Sequence, residues 1–156
     1  MAITAVKSIS AYRSLCRVLE RNEIFHECDE KNFCVRCRVS GKETDFKFGF
    51  LIEPSKMLVT LYVLMDIDLS MVSLSDMAFA LCVINDGLSD GHFGFDKNGR
   101  GIYFKITASF YNSCTDESVF EYMLSAAAES ADEYYSKLKG ITEKIQAYTI
   151  MGKNLY

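Results

Sequence analysis

The sequence contains no apolar run near the roughly 18 residues that a membrane-spanning helix needs. Its opening residues, MAITAVKSIS, lack the apolar core of a secretory signal. Proline occurs once, at Pro54, and there is no internal repeat or low-complexity stretch, so nothing marks a linker or a second domain. An excess of basic charge is missing as well. The net charge is −4, from 17 Lys+Arg against 21 Asp+Glu, and the pI is about 5.2. That balance argues against a nucleic-acid surface, which needs a basic field. These absences lead to the expectation of one domain over residues 1–156, located in the cytoplasm, with neither membrane nor nucleic acid among its partners.

Catalytic signatures are equally absent. The two histidines, His26 and His92, have no triad-like setting, and there is no G-x-S-x-G, no H-E-x-x-H and no Walker lysine. Gly87, Gly91 and Gly94 follow an apolar helical segment, whereas a phosphate loop precedes its helix; they read as a helix stop and an elbow. Asp66 and Asp68 lack the ligand spacing of a cation loop and read as a solvated strand end.

The six cysteines are Cys16, Cys28, Cys34, Cys37, Cys82 and Cys114. Without a secretory signal they read as free thiols in a reducing compartment. Cys34-Val-Arg-Cys37, with His26 and Cys28 nearby, invites a zinc reading. A strand sends Cys34 and Cys37 to opposite faces, however, and a hairpin around Glu30-Lys31 leaves only His26, Cys28 and Cys37 on one side. Packed thiols are the better reading. The expectation is no catalytic residue, no metal ligand and no cofactor. The alternative is a small-ligand binder or an enzyme, with a pocket near the Gly91–Phe104 hairpin that uses His92, Tyr103 or Asp96.

What the chain does have is hydrophobic residues, 49% of the total, enough for a substantial core. Residues 5–22 form an amphipathic helix with Ile9, Tyr12, Leu15, Cys16 and Leu19 on one face. Arg13, Arg17 and Arg21 recur every fourth residue on another face. Like charges at that spacing repel, so Glu20 and the acidic positions of the last helix, or else an acidic partner, compensate them.

Three strands follow, at Phe33–Val39, Thr44–Ile52 and Met57–Met65, joined by turns at Ser40–Glu43 and Glu53–Lys56. Four-residue loops would place Val35 opposite Phe48, Phe48 opposite Leu61, Arg38 opposite Asp45 and Leu51 opposite Leu58. One face then gathers Phe33, Val35, Cys37, Phe46, Phe48, Phe50, Val59, Leu61 and Val63. The other face turns from charged to apolar at Leu51, Leu58, Tyr62 and Leu64, a patch that is either an interaction surface or covered by a helix of the same chain.

Ser73-Leu-Ser-Asp76 resembles a capping box and opens a second helix, with Leu74, Met77, Leu81, Ile84 and Leu88 on its apolar side. Met77–Ile84 is apolar without a break, which predicts cover on more than one side. Asn98-Gly99 signals a type I′ hairpin that pairs Phe95 with Ile102 and Phe93 with Phe104. Phe93, Phe95, Ile102, Phe104 and Ile106 then share one face; aromatics at core parity are no platform for bases. Thr115 can cap the last helix, followed by Asp116 and Glu117. Its seam runs Phe120, Leu124, Ala127, Ala131, Tyr134, Leu138, Ile141, Ile145, Tyr148, spaced alternately 4 and 3. Gly140 is expected to bend or end it.

The fold class that results is α+β: an antiparallel five-stranded sheet packed by helices, in the order α-β-β-β-α-β-β-α. With Leu81-Cys-Val-Ile-Asn85, Gly91-His-Phe-Gly-Phe-Asp96 and Gly99-Arg-Gly-Ile-Tyr-Phe104 in those positions, the chain resembles the YbjN-like family. The resemblance implies a non-enzymatic sensory transduction regulator with the fold of type III secretion chaperones, which are small, acidic, cytoplasmic and usually dimeric. The family supplies no binding residues to carry over. The expected function is therefore a chaperone-like or regulatory module that binds a protein partner through an apolar sheet or helix surface, with a homodimer among the forms open to it. The candidate partner-binding residues are Leu51, Leu58, Tyr62 and Leu64, together with Arg13, Arg17 and Arg21.

Overall fold

The computed structural model describes residues 2–96, 98, 101–111 and 116–153. Among them the chain forms α1 (Ala2–Arg21), β1 (His26–Asp29), a single 3₁₀ turn (Glu30–Asn32), β2 (Cys34–Ser40), β3 (Asp45–Glu53), β4 (Leu58–Met65), α2 (Leu74–Asp86), β5 (His92–Phe95), β6 (Ile102–Ser109) and α3 (Glu117–Lys153). The strands make one antiparallel sheet in the order β1-β2-β3-β4-β6-β5.

The sheet has six strands, not five. β1 escapes pattern reading because His26-Glu-Cys-Asp29 carries no apolar alternation; it is an edge strand with β2 as its one neighbour. The turn into β2 is built locally. Asp29 accepts from the backbone N–H of Asn32 and from its side-chain amide, and Phe33 takes a left-handed conformation, φ 50°.

The faces fall as the alternation demands. Val35, Cys37, Phe46, Phe48, Phe50, Val59, Leu61, Val63, Phe93, Ile102, Phe104 and Ile106 are all buried on one side; Phe33 and Phe95 are half-buried against them. Helices α1 and α3 pack on this side, and α2 packs on β5 and α3. The pairing of β5 with β6 is as expected, Phe93 with Phe104 and Phe95 with Ile102. The Asn98-Gly99 tip itself lies outside the described residues.

Along β2–β4 the register is two residues from expectation. Val35 pairs with Phe50, Phe48 with Val63, Arg38 with Lys47, and Leu51 with Thr60. Both loops begin one residue later than expected, and each for a physical reason. Gly41 opens the first loop because a side chain there would strike the Phe46 ring at 2.4 Å and the Asp132 carboxylate at 2.7 Å. Asp132 reaches over from α3 to accept the Lys42 N–H, at 2.6 Å. The second loop is a turn with Pro54 in its second place, closed by the Lys56 N–H donating to the Glu53 carbonyl. A two-residue shift preserves the face of every side chain, so the core survives while the expected Arg38–Asp45 ion pair does not form.

Ser73 precedes α2, but its hydroxyl meets Ser75 and does not cap the helix. Met77 and Leu81 are buried, yet Phe79 is 73% exposed and Val83 60% exposed, so α2 is covered on one side only. At α3 the Asp116 carboxylate accepts the Ser118 N–H and so caps the helix; Thr115 lies outside the described residues. The helix does not end at Gly140 but continues to Lys153, about 55 Å in all. Its far seam is uncovered at Tyr148, whereas Leu138 is fully buried.

Candidate functional site: the open face of the sheet

Every α-helix described packs on the aromatic side of the sheet or at its β5 end, so the opposite side of β2–β4 stays open. The open side forms a groove of about 650 Å³. Its apolar floor comes from Leu51 on β3 and from Tyr62 and Leu64 on β4; Gly49, opposite Tyr62, adds no side chain and widens it. Phe25, in the link between α1 and β1, overhangs it at 85% exposure. Leu64 is 52% exposed. Arg36, Arg38 and Lys47 supply a basic rim, against the single carboxylate of Glu27.

The aromatic character continues beyond the groove. Tyr62 meets Tyr103 edge-to-face at 5.5 Å, and the Lys105 ammonium stands 5.6 Å from the Tyr62 ring centre. Tyr103 in turn meets His92 at 6.5 Å. Partial burial and the nearby Lys105 charge lower the His92 pKa below its ordinary value. His92, Tyr103 and Asp96 do not line the groove.

The candidate residues therefore separate into groups. Leu51, Tyr62 and Leu64 come together in one groove. Leu58 shares their side of β4 but sits at its start, opposite Glu53 and Ser109, outside the groove. Arg17 and Arg21 lie on the helical side of the molecule, bound to α3. Glu117 accepts from the Arg17 Nε and from the Arg21 guanidinium, both at 2.8 Å, and Arg21 also pairs with Glu121. Arg13 lies beside Arg17 in a shallow depression with Val6, Ile9 and Ser10. Phe25 and Cys34 belong to the groove but were not among the candidates. An exposed phenylalanine ahead of a short polar strand was the available signal for Phe25.

The five described cysteines carry no disulfide. Cys34 faces the groove, and Cys37 faces the core, where burial pushes its thiol up to about 11. Cys16 and Cys28 approach each other to 3.5 Å with His26 beside them. Burial, and then contact with Cys28, pushes the Cys16 thiol up to about 12.

No protein-family model matches the chain, and no curated protein matches it. Solved structures do. A chain of the ExsC–ExsE complex superposes with a TM-score of 0.63 at 15% identity, covering 81% of this chain and 92% of that one. A chain of the HopA1–SchA chaperone–effector complex superposes with a TM-score of 0.60 at 9% identity, covering 84% of this chain and 97% of that one. The chain thus has a chaperone-like α+β fold, with three helices among its described residues and a six-stranded antiparallel sheet.

Proposed function

We propose that the chain is a non-catalytic, cytoplasmic protein-binding module, chaperone-like or regulatory and allied to the YbjN-like proteins. In this reading it receives an extended partner segment across the open face of the sheet. The observation that carries the proposal is the uncovered groove of Leu51, Tyr62 and Leu64 with Arg36, Arg38 and Lys47 at its rim. An exposed apolar patch of this kind, with three basic side chains to one carboxylate at its edge, suits a segment that alternates apolar and acidic side chains. The superposition on chaperone–effector structures supports the same reading at the level of fold.

The test is the double variant Tyr62→Asp/Leu64→Asp in the full chain. Affinity capture from native lysate is compared with wild type, with circular dichroism and light scattering on the same samples. The expected result is loss of the captured partner with fold and thermal midpoint retained. An unchanged partner set would contradict the proposal.

A second surface favours self-association. Phe79 and Val83 lie one turn apart on the outer side of α2, both largely exposed. In this reading they meet a second copy of the chain while the groove stays free for the partner. Phe79→Glu should then halve the mass measured by light scattering without changing capture through the groove.

A further inference from the structure

The Cys16–Cys28–His26 cluster lies on the core side of the sheet, away from the groove. β1 pairs His26 with Cys37 and Cys28 with Val35, which sets both side chains on the face that α1 covers. Cys16 meets them from α1. The two sulfurs are 3.5 Å apart, and a ring nitrogen of His26 joins them with all three atoms within 4.8 Å of one another.

We propose that Cys16, Cys28 and His26 bind a single thiophilic cation, Zn²⁺, through three protein ligands with a fourth position left to water. Tetrahedral zinc with bonds of about 2.3 Å to sulfur holds two thiolates about 3.8 Å apart, close to the separation found here. The imidazole is already oriented. Its Nδ1–H donates to the Ile24 carbonyl at 2.9 Å, which fixes the tautomer and leaves Nε2 as the nitrogen with a lone pair.

A second observation concerns Tyr12. Its side chain is 5% exposed, and its buried hydroxyl lies against the thiols of Cys28 and Cys16, which are weak acceptors. A metal-bound thiolate is a stronger acceptor for this hydroxyl than a neutral thiol. Cys28 is exposed, so the cation has a way in. On binding, the two thiols release two protons to solvent and the neutral imidazole releases none, so the occupied site is neutral. A disulfide would need the sulfurs at about 2.05 Å and would leave the imidazole and the hydroxyl without a role.

The experiment uses the full chain, stripped of metal and kept reduced. Zn²⁺ is titrated against a chromophoric chelator, and Co²⁺ serves as a spectroscopic substitute. The expected result is one Zn²⁺ per chain, a thiolate-to-cobalt charge-transfer band, and a higher thermal midpoint with zinc. Cys28→Ser and His26→Gln should each weaken binding by about 100-fold or more. Cys34→Ser and Cys82→Ser, whose sulfurs lie elsewhere, should bind as wild type does. Circular dichroism of each variant separates lost binding from lost fold. Wild-type chain that takes up no stoichiometric zinc, or Cys28→Ser that binds equally well, overturns the assignment. Loss of two thiols to oxidised glutathione in a wild type that takes no zinc would make the cluster a disulfide pair instead.

Discussion

The side chain of Asn85 and the backbone of Phe93 hold each other in both directions: Phe93 N–H donates to Asn85 Oδ1 at 2.7 Å, and Asn85 Nδ2 donates to the Phe93 carbonyl at 2.9 Å. β5 is an edge strand, so its outward backbone groups have no strand to pair with. Asn85, at the end of α2, closes that edge as a strand would, and it fixes the helix to the sheet across the elbow. Asn85→Ala removes both bonds and leaves two backbone groups unsatisfied. The expected loss is about 2 kcal/mol, read as a lower urea midpoint with an unchanged slope. Asn85→Asp, which keeps only the acceptor, should lose less.

Gly91 supplies the elbow's reversal. Its φ is +72°, and a Cβ there would stand 2.3 Å from the Phe104 ring and 2.8 Å from the Lys105 carbonyl. Both backbone and space require glycine. Gly91→Ala should destabilise the chain by about 2 kcal/mol or more, because Phe104 is a fully buried core residue and cannot yield cheaply. Chemical denaturation checks this directly.

The clasp between α1 and α3 predicts a pH dependence. Hydrogen bonds from Arg17 and Arg21 hold the Glu117 carboxyl below its ordinary value of 4.5. A carboxyl whose pKa is lower folded than unfolded contributes stability above its unfolded value and loses it as pH falls through the folded one. Wild type and Glu117→Gln should therefore differ in thermal midpoint at pH 7 and converge as pH drops below 4.5. Added salt should narrow the gap at neutral pH, since the arginines are solvent-exposed. A gap that persists at low pH would mean that Glu117 acts through packing.

Much of this architecture was legible in the chain, and its illegible parts have physical causes. Alternation along Phe46–Ile52 and Val59–Val63 identifies the core face because side-chain direction repeats every two residues. The same period is blind to a two-residue offset, which the docking of Asp132 at Gly41 and the turn at Pro54 decide. β1 was hidden because an edge strand needs no apolar alternation. Gly140 does not end α3, because one glycine costs about 1 kcal/mol, which a helix of 37 residues absorbs. The groove residues Leu51, Tyr62 and Leu64 were readable as misplaced apolar side chains on a polar face. The Cys16–Cys28 approach was not, since nothing local relates a turn of α1 to an edge strand.

In the proposed reading, a protein partner sits on the open face of β2–β4. Photo-crosslinking in native lysate tests it most directly, with a photoreactive residue placed at Leu64 in the groove or at Ser125 on the exposed side of α3. A discrete protein adduct is expected from position 64 and none from position 125. Adducts from position 125 with none from position 64 would contradict it.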